Sequence, residues 1–436
     1  MLTLTSETRT RRSRFPFRRP TDYDKGVRMK YRRAAAALLC ATLALGLGAC
    51  SGGSKDKSAQ AGKMYTWVSN ESDRAQWETF VKGVQESDPN FKLDIEGPSF
   101  QDYWTKIKTR MSSSDAPCIV TTQAARAQEL GDLLAPLDDL AKEAGLDLAK
   151  YNQAMMTGMT VDGKVRAIPY DAEPMVMFYN KTMFAQAGLK EPGTDYTYEQ
   201  FLSDAKALTK DGVQGFAVAP DISYPYLPFA FANGNVPVKD GKLNITDPNF
   251  VADIQQTFDL VGKEGVAAAP SPADPTDVPM QGFQAKKVAM VIEGPWFYST
   301  IRQGMEDEVG VAVVPSKSGK PVGMIQGSGF GISAKCPDKK AAFQNIMKMT
   351  TPEVVAYVGK NRGTVPSIEA SLSGWAEGKP AQDAEVMKAL LADGQPLVTT
   401  PTWNQVVTQF TQYSPEGTRG SRTAEDILGA IEKSVN

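Results

Sequence analysis

The 436 residues contain no histidine, which removes the Ser-His-Asp and Cys-His nucleophile systems and the usual zinc sites together. Chemistry is left to carboxylates, aromatic rings and a few basic side chains. Glu173, in a polar irregular stretch, and Glu293, at the end of an apolar run, could act as the paired acids of a secreted glycoside hydrolase, which needs no histidine. Aromatic residues gather near prolines: Tyr224 and Tyr226 in DISYPYLPFAFANG, Trp296 after Pro295, and Trp403 after Pro401. GSGFG (Gly327 to Gly331) lacks both the GxGxxG spacing and a following Lys-Ser/Thr, so it gives nucleotide binding little support. Its glycines instead suit a close backbone approach. A net charge of -2, with no basic stripe outside the N-terminal region, argues against a nucleic-acid partner.

The elements that must position these residues alternate. Lys63–Ser69, Phe91–Ile95 and Cys118–Thr122 read as strands. Between and after them lie amphipathic helices, the first carrying Trp77, Phe80 and Val84, the second Tyr103, Trp104, Ile107 and Met111. A loop, Gln123–Arg126, follows the third strand. Further on, Tyr198–Leu208 and Asp247–Val261 read as helices, and Lys287–Ile292 is a buried strand running into a helix opened by Pro295. Strands alternating with helices at this spacing indicate an α/β fold with mostly parallel sheets.

The N-terminus is set apart from the fold. Met29, Lys30, Arg32 and Arg33 precede an Ala/Leu-rich stretch from Ala34 to Leu47 and then Gly48-Ala49-Cys50, the pattern of a secretory signal with a bacterial lipobox. The apolar stretch, about a dozen residues, is shorter than the roughly 20 a spanning helix needs. Residues 29–49 are thus expected as a lipoprotein signal peptide, Cys50 as the lipidated first residue, 50–62 as a flexible tether, and 1–28 as an upstream extension. The remainder is long for one core, so two lobes are expected.

The run GKVRAIPYDAEPMVMFYNKTMFAQAGL, from Gly163 to Leu189, reads as strand, crossing, strand and helix. Its tail places Tyr179, Asn180, Phe184, Ala187, Gly188 and Leu189 in a YN-x-x-x-F-x-x-A-G-L pattern. With the lipobox, GPWFYS and GISAKCPDKKAA, it resembles the extracellular solute-binding lipoproteins of carbohydrate ABC importers, and the maltose-binding type in particular. The resemblance covers nearly the whole mature chain. It implies two α/β lobes joined by a three-crossing hinge, residues 63–170 plus 329–363 and residues 174–326 plus 367–436. A carbohydrate would bind in the cleft, without catalysis, cofactor or metal. The implied partners are the membrane permease subunits of the importer, met at the extracellular face by a lipid-anchored monomer.

A sugar needs aromatic plates for its C–H faces and polar side chains for its rim. The resemblance assigns the plates to Tyr224, Trp296 and Trp403, the main polar contacts to Glu173 and Arg126, and a polar loop to Ser69 and Glu71. Asp171, Tyr226, Gln123, Ser328 and Arg362 lie in or beside the same loops and complete the candidate set. Two positions depart from the pattern: Ala125 stands where it has an acid, and Thr122 where it has an aromatic ring. Maltose itself is therefore not implied. The crossings put Cys118 and Cys336 in the same lobe, and in an oxidising compartment they are expected to form a disulfide.

Overall fold

The computed structural model describes residues 57–435. Cys40, Cys50, the expected signal and the upstream extension lie outside them. The end of the expected tether is instead a short helix, Lys57–Ala61. Ala61 is buried in the core, its carbonyl accepting from Asn345 Nδ2 at 3.1 Å, and Gln60 O accepts from the Cys118 N–H at 3.2 Å. A small side chain and two satisfied carbonyls are enough to dock this turn.

The strands that matter are β1 (Lys63–Tyr65), β2 (Asp94–Glu96), β3 (Ile119–Gln123), β4 (Ala167–Pro169), β5 (Glu173–Pro174), β6 (Val176–Asn180), β7 (Gln214–Phe216), β8 (Val288–Glu293), β9 (Val309–Val313), β10 (Met324–Gln326), β11 (Ser328–Ile332) and β12 (Gln395–Pro396). They form one sheet in the order β2-β1-β3-β11-β4, a second in the order β9-β6-β8-β7, and a short third, β12-β10-β5, between them. The pairs β1/β2, β1/β3, β8/β7 and β10/β12 are parallel. Both neighbours of β11 and both neighbours of β6 are antiparallel. These two strands follow directly from the crossings, so they run against the strands that end at the cleft. The parallel character is confined to the pairs that helical crossovers connect.

Two large cores explain the two lobes. Trp77, Phe80, Tyr170, Phe330 and Val358 fill one side of the first sheet, and Tyr65, Tyr103, Trp104 and Ile107 the other. Phe178, Phe184, Phe201, Phe216, Phe229, Phe258 and Phe410 fill the second lobe. Fully burying such a ring contributes about 1.5–3 kcal/mol. A small cluster, Ala124, Met155, Met159, Ala167, Ala172 and Ile325, packs where the lobes meet. Cys118 and Cys336 are disulfide-bonded, closing a sequence separation of 218 within the first lobe.

Local signals set the helix starts. Asn180 Oδ1 accepts from the Met183 N–H at 2.9 Å and opens Lys181–Gln186, and Thr197 with Gln200 forms a capping box on Tyr198–Leu208. The glycines of β11 serve close approach: a Cβ on Gly329 would stand 2.9 Å from Ile168 O, and one on Gly331 2.8 Å from Arg166 O. The third crossing is more gradual than a break at Gly363–Pro366. Val365 belongs to the second core, Ile368 returns to the first, and Trp375 is again in the second.

Candidate functional site

The short third sheet is the hinge. Gln326 on β10 lies opposite Glu173 on β5, and Ile325 opposite Pro174. One residue on, the Ala124 N–H donates to Gly327 O at 3.1 Å, tying the second crossing to the loop that carries Arg126. Asp171 forms an antiparallel bridge with Pro366, which brings in the third crossing.

Glu173 is buried at this junction. Its Oε1 accepts from the Val365 N–H at 3.2 Å, while Oε2 is buried without a partner among the described residues. Burial, and next the negative charge of Asp171, hold its carboxyl well above the usual carboxylate range. The turn Pro295–Phe297 packs against β5, and its Trp296 is partly exposed. Tyr224, also partly exposed, stands edge-on to Trp296, with ring centroids 6.3 Å apart and planes at 81°. Gln326 Nε2 donates to the Tyr224 hydroxyl at 3.4 Å. Hinge carboxylate, hinge amide and two rings thus form a cluster around the third sheet.

From the first lobe, Arg126 completes it. The guanidinium lies over the Trp104 ring, 5.1 Å from its centroid, and 3.6 Å from Glu129 Oε2. It also donates from Nη1 to Asn404 Oδ1 in the second lobe at 2.9 Å. Thr399 Oγ1 makes a second contact between lobes, donating to Ala125 O at 2.7 Å. Thr122, where the resemblance lacks its aromatic, is buried with an unpartnered Oγ1.

Several candidates fall elsewhere. Tyr226 is fully buried and packs on Phe258 and Phe410 in the second core, centroids 5.4 and 4.9 Å away. Only Tyr224, two residues earlier, reaches the cleft. Trp403 is 1 % exposed and belongs to the same core, so it offers no free plate. Asp171 and Ser328 meet each other, the Ser328 N–H donating to Asp171 Oδ1. Arg362 donates to Ser72 O and Oγ at 2.9 and 2.7 Å, binding one first-lobe helix to another. Ser69 Oγ accepts from the Phe100 N–H at 2.9 Å and braces its loop, whereas Glu71 is exposed. Gln123 is partly buried at the end of β3, opposite Ser328.

Sequence reasoning left out Gln326, Asp221 and Asn404, and gave Glu293 only a catalytic reading. Asp221 lies in the Tyr224 loop, its Oδ1 accepting from the Ser223 N–H at 2.7 Å, and its charge acts on Arg126. Glu293 ends β8 beside Trp296 with Oε1 accepting from the Gly294 N–H at 3.0 Å, and burial pushes its carboxyl up to about 8. An acid at a strand end next to Gly-Pro-Trp was the signal available for it.

The sequence profile described as bacterial extracellular solute-binding protein matches residues 79–389. The chain belongs to that family. Relatives of this solute-binding protein include the diacetylchitobiose binding protein DasA of Streptomyces coelicolor, 26% identical over 398 residues, 86% of this chain and 90% of that protein. The maltodextrin-binding protein MdxE of Bacillus subtilis is 23% identical, covering 93% of this chain and 98% of its own. Among solved structures, the substrate-binding protein Lmo0181 of Listeria monocytogenes, in complex with cycloalternan, superposes with a TM-score of 0.76 at 22% identity, covering 86% of this chain and 97% of that one. The GacH receptor of Streptomyces glaucescens, solved unliganded and with acarbose, gives 0.73 at 20% identity, with 85% and 96% covered. The two-lobed fold is that of these solute-binding proteins.

Proposed function

We propose that this solute-binding protein is an oligosaccharide receptor that closes on its ligand at the hinge and delivers it to an ABC-type permease. The observation that carries the reading is the buried, unpartnered Oε2 of Glu173 beside the partly exposed Trp296 and Tyr224. An acceptor next to two ring faces suits a molecule with apolar faces and a hydroxyl rim. Relatives named for diacetylchitobiose and for maltodextrin agree with a carbohydrate. Glu173, Trp296, Tyr224, Arg126 and Gln326 would contact it.

The chain would act without catalysis as a monomer, held at the extracellular face of the membrane by lipid on Cys50 after cleavage of residues 29–49. The paired-acid hydrolase reading has less behind it, because Glu173 and Glu293 each already accept a backbone N–H and the family is one of binding proteins. A thermal-shift screen of the chain from Cys50 against mono- and oligosaccharides tests the reading. A ligand at 100 times its Kd adds about 2.7 kcal/mol to the folded state, and no shift with any saccharide would refute it.

A further inference from the structure

Asp171 and Glu173 are 4 % and 2 % exposed, two residues apart, where the three crossings converge. Each is tied to a different crossing: Asp171 Oδ1 accepts from the Ser328 N–H of the second, and Glu173 Oε1 from the Val365 N–H of the third. The backbone already closes both seams, Tyr170 N–H to Ser328 O at 3.0 Å and Ala172 N–H to Val365 O at 2.9 Å. The two carboxyls therefore sit where the crossings between the lobes are tied together.

No positive group among the described residues faces them. Their own segment brings Tyr170, the second crossing Gln326 and Ser328, and the third crossing Thr364, whose Oγ1 is itself buried and unpartnered. The turn at 295–297 brings Trp296, and the helix Gln153–Gly158 brings Met155 against Gly327. No lysine or arginine among the described residues acts on either carboxyl. Burial raises both well above the ordinary range, the charge of Asp171 raises Glu173 further, and only backbone N–H groups oppose it. Two carboxyls buried two residues apart, one raising the other, favour sharing a proton over both ionising, so they titrate as a pair.

We propose, resting on the saccharide reading of the cleft, that Asp171 is a positioning residue that links ligand binding to a proton. The ligand-free hinge keeps one proton on the Asp171–Glu173 pair, and a saccharide hydroxyl donating to Glu173 Oε2 releases it to solvent. The hydroxyl keeps its own hydrogen, and no covalent bond of the ligand changes. A charge-assisted acceptor is the stronger one, so the hydroxyl selects ionised Glu173. Proton release on binding makes affinity rise with pH, by at most about tenfold per unit, until the free protein has lost that proton too.

Carbon-13 NMR of the side-chain carboxyls in the ligand-free chain from Cys50 reads the proton without any sugar. In addition to Glu293, the wild type should hold one carboxylic acid at neutral pH on the Asp171–Glu173 pair, and D171N should lower the Glu173 midpoint. Both groups titrating in the ordinary carboxylate range would overturn the proposal and leave sugar binding untouched. Calorimetric titrations with N,N′-diacetylchitobiose and with maltotriose, in two buffers of unlike ionisation enthalpy, read the linkage. A sugar that binds should release up to one proton from the wild type and less from D171N. If D171N does not fold, E173Q must bind without release. Binding with no proton exchange in the wild type, or with undiminished release in the variant, overturns the linkage. Failure of both sugars to bind counts against the linkage and the carbohydrate reading together, while the NMR arm still reports on the pair.

Discussion

Arg126 of the first lobe donates to Asn404 of the second at 2.9 Å, across 278 residues of chain. The bond lies beside Asp221 and the Tyr224 loop, so the guanidinium proposed to contact the ligand also bridges the lobes. A hydrogen bond to a charged group is worth about 1.5–3 kcal/mol. R126A should therefore raise Kd by at least about tenfold, and small-angle scattering should show a more open average shape. N404A, which leaves the guanidinium in place, should do less. Equal Kd values for wild type and R126A would contradict this role.

The two tryptophans next to prolines should separate cleanly. Trp296 is partly exposed, so W296A should weaken saccharide binding by about 0.5–1.5 kcal/mol with little change in urea midpoint. Trp403 is 1 % exposed in the second core, so W403A should cost about 3–5 kcal/mol of stability. Urea unfolding and fluorescence titration of the two variants check the pair. A W403A protein as stable as wild type, with weakened binding, would return Trp403 to the role of plate.

That contrast also marks what could be read in the sequence. Helix starts were legible because Asn180 and Thr197 act on backbone N–H groups three residues away, and such bonds depend on spacing alone. The two-lobed organisation followed from chain length and the Tyr179–Leu189 pattern. Side-chain direction was not legible. Tyr224 and Tyr226 flank one proline, yet one faces Trp296 and the other Phe410, a choice made by distant packing. Arg126 could be named, but not Asn404. Asp171 and Ser328 could be named singly, but not as partners, since the hinge pairs segments some 157 residues apart.

Reduction of the Cys118–Cys336 disulfide should destabilise the chain by about 2–5 kcal/mol, since it closes a long loop in the unfolded state. Urea midpoints with and without reductant measure this. Thiol titration of the denatured, unreduced chain should find neither cysteine, and finding both would contradict the bond.

Burial pushes Glu293 up to about 8 from an ordinary 4.5. Its folded state binds the proton more tightly than the unfolded state does, so its contribution is fully present below the unfolded value and is lost as pH rises through the folded one. Stability should fall between pH 4.5 and 8, by about 1.4 kcal/mol per unit at most from this group. E293Q should flatten that slope. Urea midpoints across this range in both proteins decide it, and an unchanged slope in E293Q would assign the pH dependence to other groups.

The most direct test of a sugar-binding hinge is calorimetric titration of wild type, E173Q and E173A with the saccharide that gives the largest thermal shift. A charge-assisted bond to Glu173 predicts that E173A raises Kd about 10- to 150-fold and that E173Q, keeping shape and one acceptor, raises it less. The sugar should be recovered intact after the titration. A Kd unchanged in E173A, or sugar consumed by the wild type and spared by E173Q, would contradict the account.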